Sequence, residues 1–325
     1  MAHNARMDPV AVPGRLMTSV RALGPAGSRW LEDLPGSLAS LAADWGISYG
    51  RPLGGGNAAF VIEAVTASGR PVIAKLALPP GLDGFAPFEQ ELEALRVAGG
   101  DPYAELIRHD LSRRSLLLER LGPPLASLGW PADRQLTAVA STLSRGWRPL
   151  QPGGLPTGAA KARWLASAVA RDWQDLGRPC SQAATATAVS YAAERAAAFD
   201  PRRAVLVHGD GHAWNLLLSP GSAGGAAGFR LVDPEGLRSE PEHDLGVALR
   251  DRNEELLAGD TTTAAIRRCQ QAALLTGMSG EAIWQWAFIE RVSTGLFLLR
   301  LGHREEARPY LEVADRLAGT RYPAS

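Results

Sequence analysis

The 325 residues suffice for one bilobal unit or two ordinary domains, and 46% apolar residues supply ample core. Lys and Arg total 34, as do Asp and Glu; the resulting zero net charge argues against a nucleic-acid or membrane partner that needs a basic face. The two cysteines, Cys180 and Cys269, make neither a disulfide framework nor a metal spacing, so a reducing cytoplasm is the expected location.

Taken in order, the chain begins M-A-H-N-A-R-M-D-P, without the apolar stretch of a signal peptide. Residues 1–27 are rich in Pro, Gly and Ala and predict a partly ordered arm. From Ser28 the pattern is helical, with Trp30, Leu31, Leu34, Leu38, Leu41, Ala42 and Trp45 as the apolar positions. Pro35-Gly36 is expected to divide this stretch into two short helices, with both tryptophans as packing anchors. Gly54, Gly55 and Gly56 then lie between strand-like segments. Such a cluster allows close approach to nucleotide phosphates, and serves a plain hairpin turn as well. It lacks the G-x-x-x-x-G-K-[ST] pattern of a P-loop.

The next strand, P-V-I-A-K-L over residues 71–76, contains Lys75. The chain has only two lysines, Lys75 and Lys161, all its other Lys+Arg cations being arginine. A lysine inside an apolar strand therefore needs a reason. The V-A-I-K element of kinases, whose lysine binds the α- and β-phosphates, supplies one. A helix over 88–96 follows, with Glu89, Glu91 and Glu93 as candidates for the carboxylate that pairs such a lysine. The strand ending L-L-L-E-R-L at Leu121 meets a Gly-Pro stop, and the boundary is placed there: residues 28–121 form one lobe and 122–325 a second, mainly helical one.

In the second lobe helices are predicted over 133–147, capped by Asp133, and after a Pro/Gly linker that ends in the cap Thr157. An Ala-rich helix over 181–199 stops at Asp200-Pro201. Further helices are expected from Glu240 onward, over 261–276, 281–301 and 307–317. The stretch 282–301 is broken by Glu290, Arg291 and Arg300, so it reads as a helix buried on most sides rather than a membrane span.

Between these helices lies the stretch that organises the rest. An apolar strand, 204–207, leads into H-G-D-G-H-A-W-N, residues 208–215. A strand at 216–218, a Gly/Ala loop and a returning strand at 229–232 end in D-P-E at Asp233. Phosphoryl transfer from ATP needs one carboxylate to take the acceptor hydroxyl's proton, and an amide and a second carboxylate for Mg²⁺. Protein kinases space the first two as D-x-x-x-x-N, which is the spacing of Asp210 and Asn215. Asp233 stands where the later metal-binding aspartate belongs. His208 and His212 do not form H-E-x-x-H and no third ligand cluster is evident, so they are read as loop-supporting rather than zinc-binding.

The joined pattern H-x-D-x-H-x-x-N with a later strand-end Asp resembles the aminoglycoside phosphotransferase superfamily. D-P-E-G-L-R-S-E-P-E-H-D-L-G and R-W-L-E-D-L-P-G-S-L resemble its streptomycin kinase branch, over about Ser28 to about Leu301. The resemblance implies an α+β, bilobal protein-kinase-like fold with an antiparallel N-lobe sheet, ATP and Mg²⁺ as cofactors, and a small-molecule acceptor. It implies nucleotide contacts at Gly55, Gly56 and Lys75, and its E-x-x-A-L-R register favours Glu91 as the partner of Lys75. It places a hinge at Glu119 and Leu121, whose backbone groups face adenine. Asp210 is then the base, Asn215 and Asp233 the metal ligands, and Asp244 either a support beneath the catalytic loop or a simple helix cap. Gly211 departs from the family, which usually has Leu there.

No A-P-E segment follows Asp233, which argues against a protein kinase. An amino-sugar or other metabolite kinase is the alternative acceptor class, and a nucleotide-binding pseudokinase the alternative of another kind. A streptomycin-type acceptor is cationic and asks for local acidity. Asp172, Asp175, Glu240, Glu242, Asp251, Glu254 and Glu255 are the candidates, with Trp173 or Trp214 to stack on a guanidinium plane. Arg250, Arg252, Arg267 and Arg268 stand close enough in sequence to neutralise the last acidic group.

Overall fold

Two helices lead the described chain, α1 (Gly14–Ala22) and α2 (Pro25–Trp45). The computed structural model describes residues 11–54, 56, 58–80, 87–151, 153–222 and 228–323. Within the stretch read as a partly ordered arm, whose residues 1–10 lie outside the described ones, α1 buries Leu16 and Val20 in the same core as α2. α2 continues through Pro35, so the expected break does not occur. The reason is position: Leu34, Leu38 and Leu41 fall on one buried stripe, while Pro35 and Gly36 face solvent. An interior proline costs about 3 kcal/mol. Burying three leucines at roughly 1.5–3 kcal/mol each outweighs it.

The chain divides into two compact units, one comprising residues up to Gly100 with Ala104–Leu121, the other Asp101–Tyr103 with Gly122–Ser325. The first contains a five-stranded antiparallel sheet of β1 (Ile47–Leu53), β2 (Ala59–Thr66), β3 (Pro71–Ala77), β4 (Leu106–Asp110) and β5 (Ser115–Glu119), in the order β1-β2-β3-β5-β4. Phe60, Ile62, Ala64, Val72, Ala74, Leu76 and Leu117 meet the leucine stripe of α2. Helix α3 (Pro87–Ala98) lies between β3 and β4 and buries Phe88, Leu92 and Leu95.

The second unit is mainly helical: α4 (Ala132–Gly146), α5 (Gly158–Asp175), α6 (Gln182–Ala198), α7 (Glu242–Leu249), α8 (Asn253–Leu257), α9 (Thr261–Thr276), α10 (Gly280–Arg300) and α11 (Arg304–Leu317). α10 is buried all round from Ala282 to Val292, because α5, α6, α7, α9 and α11 pack against it. Thr157 caps α5, accepting from the Ala160 N–H at 3.1 Å. The cap expected from Asp133 is instead the position of Pro131, which leaves Asp133 in the first turn of α4. Two short antiparallel ribbons complete the unit, β6 (Val205–Val207) with β9 (Leu237–Ser239), and β7 (Leu216–Leu218) with β8 (Phe229–Leu231).

Candidate active site

In the first unit Lys75 sits mid-strand in β3, opposite Val61 on one side and Leu116 on the other. Its Nζ donates to both oxygens of Glu91, each at 2.7 Å, and both side chains are largely buried. Glu89 is turned away to Arg114, so the helix register of α3 selects Glu91. Glu119 closes β5: its N–H donates to the Glu105 carbonyl at 3.1 Å and its carboxylate accepts from the Glu105 N–H at 2.8 Å. Leu121 follows, 9% exposed. Gly55 lies outside the described residues. At Gly56 a Cβ would meet nothing nearer than the Ala59 carbonyl at 3.7 Å, and its φ is not left-handed. The fold itself therefore does not require glycine there, which leaves room for a ligand to come close.

In the second unit the two ribbons assemble the loop 208–215 and Asp233. β7 and β8 pair Leu216 with Leu231, and the Val232 N–H donates to the Asn215 carbonyl at 3.0 Å. That register brings Asn215 and Asp233 to the same end of the hairpin. β6 and β9 pair Val207 with Leu237, and the Gly236 N–H donates to the His208 carbonyl at 3.0 Å. The loop and the Asp233-Pro234-Glu235 turn are thus tied at both ends. Asp233 has φ 57°, a left-handed conformation that a carboxylate residue tolerates better than most.

Asp244, fully buried near the start of α7, fixes the loop from within. One carboxylate oxygen accepts from the Gly209 N–H at 2.8 Å, the other from the His208 N–H at 3.0 Å and the Trp147 indole at 2.9 Å. His208 Nδ1 accepts from the Asp210 N–H at 3.1 Å. A backbone N–H can only donate, so Nδ1 is bare and Nε2 carries the proton to the Val232 carbonyl at 2.9 Å. Burial lowers the His208 pKa, which agrees with a neutral ring. His212 Nδ1 accepts from the Trp214 N–H at 3.3 Å, and its Nε2 lies 3.5 Å from Asp210.

The Asp210 carboxylate has three neighbours. Arg250 Nη2 donates to one oxygen at 2.5 Å, and Asn215 Nδ2 to the other at 3.1 Å. His212 faces that second oxygen. Burial works to raise the Asp210 pKa, but the Arg250 guanidinium and His212 hold it well below the usual carboxylate range. A carboxylate held low in this way is suited to orienting a hydroxyl rather than pulling hard on its proton, which is what a loose phosphoryl-transfer transition state asks for.

The donors suit Mg²⁺. The Asn215 amide spends its NH₂ end on the Asp210 carbonyl at 2.9 Å and on the Asp210 carboxylate, so its other end is the carbonyl oxygen. With the Asp233 carboxylate this makes two hard oxygen donors, the ligand type Mg²⁺ takes beside substrate phosphates.

Some functional surroundings were not legible in the sequence. Arg250 is forty positions from Asp210, and nothing local marks it as that residue's partner. It also approaches Glu290 at 3.5 Å and Asp251 at 3.8 Å, and Glu290 in turn bonds His243 at 3.1 Å. Lys161, from α5, donates to both oxygens of Glu235 at 2.8 and 3.1 Å. Burial would lower the Lys161 pKa, but Glu235 and Glu290 hold it raised.

Several acceptor-site candidates find other partners. Trp173 is buried, with its indole donating to the Cys180 carbonyl, so it cannot stack on a ligand. Asp172 is bound by Arg171 and Arg300, Glu240 by Arg195, Glu255 by Arg252 and Arg268, and Glu242 is buried beneath the Ser279 N–H. Asp251 accepts from Tyr310 at 2.7 Å. Trp214, 61% exposed beside Asn215, retains an open ring.

The sequence pattern of the aminoglycoside/hydroxyurea antibiotic resistance kinases matches residues 47–302. The chain belongs to that family. It is 27% identical over 262 residues to a streptomycin 6-kinase of Streptomyces glaucescens, covering 80% of this chain and 81% of that one. It is 30% identical over 244 residues to a hydroxyurea phosphotransferase of Kitasatospora aureofaciens, covering 74% and 68%. Among solved structures, the choline kinase LicA of Streptococcus pneumoniae superposes with a TM-score of 0.59 at 14% identity, over 88% of this chain and 99% of that one. The GDP complex of aminoglycoside 2'-phosphotransferase-IIIa superposes at 0.57 with 13% identity, over 87% and 98%. The fold is therefore protein-kinase-like, and the chain is an ATP-dependent small-molecule kinase. No helix among the described residues is long and apolar enough to cross a membrane.

Proposed function

We propose that this kinase transfers the γ-phosphate of ATP to a hydroxyl of a cationic small molecule, streptomycin foremost, and so inactivates an antibiotic in the cytoplasm. The observation that carries the reading is the contact of Asp210 with Asn215 in one loop, with Asp233 at the same end of the hairpin that follows it, in a chain related to streptomycin 6-kinases. Lys75, held by Glu91, binds the nucleotide's α- and β-phosphates, with Gly55 and Gly56 beside the phosphates and the backbone at Glu119 and Leu121 facing adenine. Asn215 and Asp233 hold Mg²⁺, which neutralises charge on the phosphates when bound. Asp210 accepts the hydrogen bond of the acceptor hydroxyl and directs its lone pair at phosphorus; His208, His212 and Asp244 keep that carboxylate in place.

A coupled assay of ADP release tests this, with streptomycin, hydroxyurea, amino sugars and neutral sugars as acceptors. Streptomycin should give the highest kcat/KM. Asp210→Asn should reduce kcat by roughly 10²–10⁴-fold while ATP affinity, followed by calorimetry, stays near wild type. An Asp210→Asn enzyme within tenfold of wild type would remove the base assignment. The relative named for hydroxyurea supports a second reading, and so does the pairing of Asp172, Glu240 and Glu255 with arginines, which lowers the net acidity offered to a cation. Turnover of hydroxyurea without turnover of streptomycin would select it.

A further inference from the structure

The two lysines of this chain share one arrangement, an ammonium held by both oxygens of a glutamate. The first pair belongs to the nucleotide reading above. The second, Lys161–Glu235, has no part in it, yet Glu235 stands two residues from Asp233. Lys161 rises from the first turns of α5, with its side chain 8% exposed and its Nζ 5.0 Å from the Trp164 ring centroid. Glu235 packs over Gly209: a Cβ on that glycine, whose φ is 82°, would lie 2.9 Å from the Glu235 Cβ. The pair therefore links α5, the Asp233-Pro234-Glu235 turn and the loop residue next to Asp210.

We propose that Lys161 is a positioning residue: its ion pair with Glu235 holds the turn so that the Asp233 carboxylate faces the metal. The proposal rests on the reading of Asp233 as a Mg²⁺ ligand. Asp233 has a left-handed backbone although the proline after it favours an extended one, so its side-chain direction depends on the turn that holds it there. Val232 and Gly236 bracket that turn, their N–H groups donating to the Asn215 and His208 carbonyls at the two ends of the loop. Within the bracket, Glu235 is where a side chain ties the turn to a helix. Stability alone gives little reason to keep the pair. Apolar replacement of a buried ion pair is often neutral or stabilising, whereas loss of one partner costs much. A second-sphere group that orients a metal ligand, by contrast, commonly changes metal affinity by roughly 10–100-fold.

The experiment measures ATP affinity of the full chain by calorimetry across free Mg²⁺ concentrations, with thermal melting alongside. The double variant Lys161→Met/Glu235→Met should melt close to wild type, and the Mg²⁺ needed for half-maximal tightening of ATP should rise roughly tenfold. Wild-type Mg²⁺ dependence in that folded variant overturns the proposal. Two further variants decide the matter if the double variant is unstable. Lys161→Met should also raise the requirement; a lower one would mean that the released Glu235 itself takes the cation, and the positioning role fails. Glu235→Gln keeps an oxygen for Lys161 and should raise it less, about threefold; a rise equal to that of Lys161→Met would make charge, not position, the cause. Asp233→Ala is the control on the underlying reading. If it leaves the Mg²⁺ dependence of ATP binding intact, the metal-ligand assignment fails; if it abolishes that dependence while the double variant keeps it, only the present inference fails.

Discussion

Asp210, Arg250, Glu290 and His243 are joined in series, and the first and last lie on elements far apart in the sequence. Glu290 is 6% exposed, and burial would raise its carboxyl; the His243 hydrogen bond, with Lys161 and Arg250, holds it lowered instead. The stability it contributes is present above the value of a free glutamate, about 4.3, and is lost as the pH falls below it. Glu290→Gln should therefore cost about 3 kcal/mol at pH 7, and its unfolding free energy should fall less steeply than wild type between pH 5 and the acid limit. Urea titrations at a series of pH values measure both quantities; parallel pH slopes would show that Glu290 is not the titrating group. Lys75 and Glu91 give a second test. Lys75→Ala should raise the KM for ATP and lower kcat, because one ammonium serves ground and transition states. Glu91→Ala should be milder, and the double variant less than additive. Strict additivity in steady-state kinetics would mean that the pair does not act as one.

Among single residues, legibility followed sequence distance. Asp210 and Asn215 stand in one loop, and a scarce lysine inside an apolar strand marks Lys75. Arg250, Glu290 and Lys161 carry no such mark, since an arginine after a helix or a charged residue within one is ordinary until the fold shows what it faces. Some of the acidic acceptor candidates find partners that their own sequence does not mark: Asp172 reads as a candidate for the acceptor cleft, but Arg300, 128 positions away, sits on it.

Elements obey packing over local preference, as α2 shows at Pro35. The loop residue Gly211 is the same rule in reverse. A Cβ there would lie 2.5 Å from a methyl of Leu143, which comes from α4 and is 1% exposed. Leu143 fills the space that a side chain at position 211 would need. Polar roles in the loop are undisturbed by the departure, because they run through Asp244 and the histidines. Gly211→Leu should destabilise the protein by about 1–3 kcal/mol through overpacking. Adding Leu143→Ala should restore most of that loss and of the activity. Thermal melts and kcat of the single and double variants check the exchange; a double variant no better than Gly211→Leu alone would place the clash elsewhere.

For the whole molecule the decisive quantity is charge. The sequence is neutral, and the structure pairs acids with arginines at short range, as at Asp172, Asp200, Glu240 and Glu255. Pairs of this kind cancel beyond a few ångströms, and salt screens what is left, with a Debye length of about 10 Å at 0.1 M. Among the described residues such pairing leaves little net charge to steer the proposed cationic acceptor, so its capture is expected to depend on contacts made inside the site, among which the exposed Trp214 ring is available for stacking. The kcat/KM for streptomycin should accordingly change by less than about threefold between low and physiological salt, where a steered encounter falls steeply. Trp214→Ala should raise the acceptor KM more than the ATP KM. Steady-state kinetics across a potassium chloride series measures the first, and the two KM values the second. A tenfold loss of kcat/KM with salt, with Trp214→Ala neutral, would assign recognition to acidic side chains instead of the ring.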